Sequence, residues 1–250
     1  MSSAQAQING LHSNPRVFND FSTSTLTINN SNSNPGSVTI DDRNLVDDAQ
    51  GGNFANRHDV LVSTDAGASN AAFPITQGFS FSTTVTLTDG ANAPRKEAGI
   101  RINSPVTGDV LLLVNSDAGE IVAFGGGAPF HIFGSNGSSN GYTPGTPITL
   151  GIRYDPPGLA GANGLITYTA NYPTTGLNAS SSAFFSNLEG GPVNYSFGVY
   201  TQVSPANGAD FDHVVYNSMT ATLVPEPASI CMLCFGGLAL LSRRGAKKTA

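Results

Sequence analysis

Tryptophan is absent from the 250-residue chain, and lysine is nearly absent from Met1 to Val224, where Lys96 stands alone. Without the indole, the side chain that most often stacks on sugar rings is missing. The stretch from Met1 to Val224 carries 7 Lys and Arg against 16 Asp and Glu. That acidic balance excludes a nucleic-acid partner, because phosphate neutralisation needs a basic face. Cysteine is missing from the same stretch, so no disulfide holds it and its core must do so alone. The two cysteines, Cys231 and Cys234, lie in an apolar tail. Their Cys-x-x-Cys spacing has neither a second pair nor a His cluster beside it, and reads as filler of that tail. No window of eleven or more positions in the body keeps helical spacing, which leaves strands.

The strands are legible by period two. Phe79, Phe81, Val85 and Leu87 alternate with Ser80, Ser82, Thr84 and Thr86, so one face packs and the other meets water. The segments 148–154 and 165–172 repeat the pattern on either side of Pro- and Gly-rich turn material and read as hairpin neighbours. Val110 to Val114 is apolar at every position, which predicts burial on both faces, and Ser116-Asp117-Ala118-Gly119 turns it into 120–124 as a central hairpin. Further strands are predicted over 195–201 and 211–224, the latter alternating through Val215, Met219, Ala221 and Leu223, and near 37–41 and 60–64. Strands at this spacing with turn clusters between them predict an all-β, antiparallel two-sheet sandwich, or jelly roll, occupying residues 7–224 as one domain. The Asn- and Ser-rich start, up to about position 60, reads as a loop-rich entry to it.

The order of elements, with the aromatic-rich strand 79–88, Ala98-Gly99-Ile100-Arg101-Ile102, the hairpin 109–124, the pair 148–172 and a closing Phe211-Asp212-His213-Val214-Val215-Tyr216, resembles the concanavalin A-like or laminin-G-like jelly roll over residues 70–224.

Chemistry is sparse on this scaffold. Jelly-roll glycanases set two carboxylates at alternate positions of one strand, and Glu97, Glu120 and Glu189 are far apart in sequence. Asp210 and Asp212 share that spacing at a strand entrance, where a turn or a metal is the simpler reading. His12, His58, His131 and His213 lack zinc-enzyme spacing, and no Gly-x-Ser-x-Gly occurs. No cofactor is firmly indicated. Calcium is the one cation the resembled jelly rolls often hold in loops, with Asp41, Asp42, Asp47 and Asp48 as candidate ligands beside the alternative of solvated turn carboxylates. For a sugar, Arg101, His131, Arg153, Tyr168 and Tyr172 are expected at outward positions. Each is equally explicable as an ordinary sheet residue.

The C-terminal segment 225–250 forms a unit of its own. Pro225 and Pro227 stop regular structure, 230–241 is uncharged, and Arg243, Arg244, Lys247 and Lys248 follow. A helix of that apolar length spans roughly 18 Å against a hydrocarbon core of about 30 Å. Basic residues after the run hold that end in the cytoplasm and leave the body outside. Val224, Pro225, Glu226 and Pro227, the short apolar run and the Arg243-Arg244 pair resemble the PEP-CTERM sorting signal of exported bacterial proteins. The resemblance implies an exosortase-like membrane transpeptidase as partner, transient inner-membrane insertion, and delivery to the cell surface or extracellular matrix of a Gram-negative-type bacterium. At the other end, Ala4-Gln5-Ala6 has the small-x-small pattern of a signal-peptidase site, so residues 1–6 are expected to be the remnant of a signal peptide.

Together these readings predict an exported β-sandwich with a structural or adhesive role and no catalytic machinery. The alternative is a lectin-like module for extracellular polysaccharide, and the third reading a glycan-acting enzyme.

Overall fold

A computed structural model describes residues 7–46, 54–104, 108–125, 128–157, 164–184 and 194–224. Within them the strands run β1 (Gly10–Asn19), β2 (Thr25–Asn30), β3 (Gly36–Arg43), β4 (Asn56–Ser63), β5 (Phe73–Pro74), β6 (Gly78–Asp89), β7 (Lys96–Ser104), β8 (Gly108–Asn115), β9 (Ile121–Phe124), β10 (His131–Gly134), β11 (Ile148–Asp155), β12 (Leu165–Tyr172), β13 (Leu177–Phe184), β14 (Asn194–Val203) and β15 (Phe211–Val224). They form two antiparallel sheets. The first has the order β1-β4-β14-β7-β8-β9-β10, with β5 pairing β14, and the second β13-β12-β11-β6-β15-β3-β2. Among the described residues no helix is long and apolar enough to cross a membrane. Residues 1–6, the expected apolar helix and the sorting motif from Pro225 onward lie outside the described residues.

Alternation builds the core. The even-spaced apolar side chains of β6 point inward, and Phe79 stacks on Phe197 of the opposite sheet with ring centroids 4.0 Å apart and planes 11° from parallel. Phe73, Tyr154 and Tyr195 pack around that pair. Fully burying one such side chain is worth about 1.5–3 kcal/mol. Tyr216 bridges the sheets with its hydroxyl, which accepts from Gly99 N at 3.1 Å and donates to Tyr200 O.

Three departures from the sequence reading have physical causes. Val214 and Tyr216, rather than Val215, face the core, because a bulge between Tyr216 and Met219, with Ser218 at φ 53°, shifts the parity of β15 before Met219 and Ala221 turn inward. The hairpin of β8 and β9 lies toward one edge of its sheet rather than at its centre. The Asn-rich start is mostly strand, β1 to β3, and the asparagines of the β2–β3 connection act as ladder partners: Asn34 imitates a backbone partner for Ala221, donating Nδ2–H to its carbonyl at 2.7 Å and accepting its N–H at 3.0 Å. Asn32 accepts Leu11 N–H and donates to Ala66 O. Short amide side chains here supply ladder bonds that large apolar residues cannot.

Candidate functional site

The outward face of the first sheet carries a compact polar grid. Three registers set it: Phe18, Arg57, Gln202, Glu97 and Asn115 form one row, Asn14, Asp59, Tyr200, Gly99 and Leu113 the next, and His12, Leu61, Gly198, Arg101 and Leu111 a third. Tyr200 is at the middle. Gly99 and Gly198 flank it, and a Cβ on either would run into the backbone of the neighbouring strand, so the grid is flattest where the tyrosine ring lies. The Arg57 guanidinium sits 4.7 Å from that ring's centroid, a desolvated cation–π contact.

Two aspartates bind two arginines here. Arg57 Nη1 donates to Asp109 at 2.9 Å and Nε to Asp59 at 3.3 Å. Arg101 donates to Asp59 and, at 2.7 Å, to Asp109. Burial pushes the Asp59 carboxyl up, and the two guanidinium groups offset only part of that. Arg57 Nη2 is buried without a hydrogen-bond partner. Leu111, Leu113 and Val122 seal one side of the grid together with Tyr200, which is how the continuous apolar run of β8 comes to be buried on both faces.

At the other side the grid opens into a cavity of about 470 Å³ lined by Phe54, Pro94, Arg95, Glu97, Gln202, Ser204 and Pro205. Glu97 is 8% exposed. It accepts a hydrogen bond from the Tyr200 hydroxyl at 3.3 Å. Burial raises its pKa above the usual carboxylate range, against the pull of Arg95, the Tyr200 hydrogen bond and Arg57. Burial and the nearby Glu97 carboxyl hold Tyr200 well above its ordinary value. Arg95 spans Glu97 (3.7 Å), Asp117 (2.9 Å) and Glu120 (3.2 Å). A buried carboxyl with a raised pKa at a cavity wall is the arrangement that proton-transfer chemistry uses.

The sugar and metal residues expected from the sequence do not assemble. Arg101 belongs to this grid, but Arg153 is on the opposite sheet, paired with Asp155 at 2.7 Å, and His131 is on the edge strand β10 against Phe133. Tyr168 and Tyr172 point into the core, because they share the inward face of β12 with Ile166 and Ala170. Asp41 and Asp42 fall on opposite faces of β3. Asp41 binds Arg43 and His213 at the surface, and Asp42 binds Asn56 and His58 inside. Asp47 and Asp48 lie outside the described residues. No group of three potential metal ligands occurs among the described residues, so the calcium expectation finds no support there. Asp210 and Asp212 are structural: the first binds Lys96 and the second is buried against Thr201.

Among solved structures, a family 7 alginate lyase with bound substrate superposes on 75% of this chain and 78% of its own, with a TM-score of 0.52 and 12% identity. A family 7 alginate lyase with product covers 76% and 80%, with a TM-score of 0.50 and 12% identity. The basic winged bean lectin covers 86% and 100%, with a TM-score of 0.48 and 10% identity. The chain has the two-sheet jelly-roll fold of these lyases. No protein-family model matches it, and no curated protein matches its sequence. A fold shared with polysaccharide lyases overturns the expectation of a structural or adhesive body without catalytic machinery. That expectation rests on seeking two carboxylates along one strand. Here the strands instead bring Glu97, Tyr200 and Gln202 together across the sheet.

Proposed function

We propose that the protein cleaves a polysaccharide at the cavity beside Glu97, and that an acidic glycan of the alginate type is its substrate. The observation that carries this reading is Glu97 itself, a nearly enclosed carboxyl of raised pKa at the wall of a cavity about 470 Å³ in volume. In a β-elimination the Glu97 carboxylate takes the proton α to the uronate carboxyl. A C=C bond forms as the glycosidic C–O bond breaks, and Glu97 returns the proton to the departing oxygen. A raised pKa suits both halves, strengthening the base and letting the acid form persist. Arg95 and Gln202 present N–H donors to the uronate carboxylate and ring hydroxyls, and Tyr200, behind Glu97, orients it. The alginate lyases that share the fold support the substrate class.

The test is turnover of alginate and of neutral glycans, reading both new reducing ends and the ultraviolet absorbance of an unsaturated uronate end. Elimination gives both signals and hydrolysis only the first. Glu97→Gln should lower kcat by about 10²–10⁴ with little change in KM, and the acid limb of the rate profile should lie above the ordinary carboxylate range. Saturable binding without any cleavage would replace this reading with the lectin-like one.

For the tail, we propose that 225–250 is a PEP-CTERM sorting signal read by an exosortase-like transpeptidase, and that the body reaches the cell surface or matrix after a transient stay in the inner membrane. The motif residues Pro225, Glu226, Pro227, Arg243 and Arg244 support it. Intact mass of the native protein, with and without the exosortase-like gene, decides: a surface form ending near Pro227 supports sorting, and a full-length inner-membrane form in both strains refutes it.

A further inference from the structure

The outward face of the second sheet has a composition unlike an ordinary solvated sheet. Across β13, β12, β11, β6 and β15 the register aligns Ser180, Thr169, Gly151, Ser82 and Thr220 in one row and Ser182, Thr167, Arg153, Ser80 and Thr222 in the next. Thr149, Thr84 and Asn217 continue the lattice. Short polar side chains fill it, neither row holds an aromatic or acidic residue, and the cation within these rows, Arg153, is already bound bidentately by Asp155 at 2.7 Å through both Nε and Nη2. The hydroxyls are exposed or partly so, and some bond across strands, Thr84 to Thr149 at 2.9 Å and Thr167 to Ser182 at 2.7 Å.

The face is also indented. Gly151 replaces a side chain at the centre of the lattice, and around it lies a hollow of about 200 Å³ lined by Ser80, Ser82, Arg153, Thr167 and Thr169. A Cβ at Gly151 would stand 2.5 Å from Thr169 Oγ1, so the hollow exists because the residue is glycine. Its size suits one sugar ring. Hydroxyl groups from adjacent strands and the remaining Arg153 N–H groups converge on it.

We propose that this face binds a neutral polysaccharide chain laid across the strands, with one sugar seated over Gly151 and its neighbours on the hydroxyls to either side. Charge complementarity selects the occupant. With Arg153 neutralised by Asp155, an anionic polymer finds no free cation in these rows and a cationic one no free acid, whereas sugar hydroxyls find both donors and acceptors. The strands repeat at about 4.8 Å, so a chain laid along a row meets the side chain of a new strand with roughly each sugar. Adjacent strands are rotated by about 20–25°, which a twisting polymer can follow and a crystal lattice such as ice cannot. Each contact exchanges water for a sugar hydroxyl and is weak, so affinity comes from repetition along the chain. This site is independent of the cleavage reading at Glu97, being on the other sheet.

Co-sedimentation of the full chain with insoluble neutral glycans, microcrystalline cellulose and cross-linked dextran, tests it. The wild type should be retained by at least one of them, and Gly151→Val, which fills the hollow, should weaken retention at least tenfold while alginate turnover is unchanged. Because Gly151→Val could perturb folding, Ser82→Glu and Thr220→Glu provide a second arm, with the melting temperature as control; each should weaken retention with the fold intact. Glu97→Gln should bind the neutral glycan like the wild type, so failure of the cleavage reading leaves this result interpretable. Retention unchanged by every variant of the face, no retention on either glycan, or ice-growth inhibition that the same variants abolish would overturn the proposal.

Discussion

Replacing Lys96 by methionine is the sharpest probe of what holds the sandwich together. The ammonium of Lys96 is fully buried and donates to Asp210 Oδ2 at 2.5 Å, Ala91 O at 2.5 Å and Pro94 O at 3.0 Å, so all three of its protons are used. Removing one partner of a buried pair costs about 3–5 kcal/mol, because the remaining charge stays out of water. Two features place this case at the low end. Methionine keeps most of the apolar stem, which limits the cavity term, and Asp210 retains backbone donors from Ala91, Ala206 and Phe211. We expect a loss of about 3 kcal/mol at pH 7, or about 6–12 °C in melting temperature for a domain of this size. The pH dependence gives a second arm. Burial raises the Asp210 pKa, but the Lys96 hydrogen bond and the backbone donors outweigh it and hold the carboxyl below its ordinary 3.8. A lowered pKa contributes stability that is present above the unfolded value and lost as pH falls through the folded one. The gap between wild type and variant should therefore be widest above about pH 4 and close below it. Urea titration followed by circular dichroism at pH 7 and pH 3 measures both. A deficit under about 1 kcal/mol at pH 7, or one that persists unchanged in acid, would refute the assignment of Lys96 and Asp210 as a stabilising pair.

Three further outcomes follow from the same contacts. Tyr216→Phe removes the hydroxyl that ties the second sheet to Gly99 and Tyr200 of the first and should cost about 1–3 kcal/mol in a urea melt. Gly99→Ala forces a Cβ within 2.6 Å of Leu113 Cα and should destabilise by about 1–3 kcal/mol through overpacking, with a loss of turnover because Tyr200 lies opposite in the register. For Glu97, whose pKa burial raises above 4.5, the native state favours the neutral form, so stability is greatest below pH 4.5 and falls as pH rises through the folded value. Glu97→Gln removes that fall and should gain on the wild type in melting temperature between pH 4.5 and 8, even as it loses activity.

The strands that the sequence discloses are those whose alternation carries large side chains: β6, β11, β12 and β14 are legible because Phe, Tyr, Ile and Leu fill one face. Those it hides are edge strands. β13, Leu-Asn-Ala-Ser-Ser-Ser-Ala-Phe, buries little on either side, and β1 and β2 spend Asn side chains on bonds to other side chains and, at Asn30, to backbone, which reads as loop. The phase of β15 is lost to a single bulge. The site is hidden for a different reason. Glu97, Tyr200 and Arg57 each look isolated because antiparallel register, which no local window reports, sets Gln202 opposite both Glu97 and Arg57. The pairs Arg57-x-Asp59 and Tyr200-x-Gln202, each with two polar groups on one strand face, are the local signal available.

The two outward faces therefore pose separate questions of one scaffold. The first sheet concentrates ionisable groups and shields them: Arg57, Asp59, Arg101 and Tyr200 are all buried, which strengthens their mutual fields and shifts proton affinities within the grid. The lattice over β13, β12, β11 and β6 of the second sheet exposes short side chains that are nearly all uncharged, which keeps every contact it makes weak and repeatable. Facing sheets lie about 10 Å apart, and substitutions at that distance with no shared partner add independently to within about 0.5 kcal/mol. A double variant of Glu97→Gln and Ser82→Glu should accordingly show the turnover of the first and the glycan retention of the second. Any larger coupling would mean that one polysaccharide chain engages both faces, wrapping an edge of the sandwich, and would join the two sites into one.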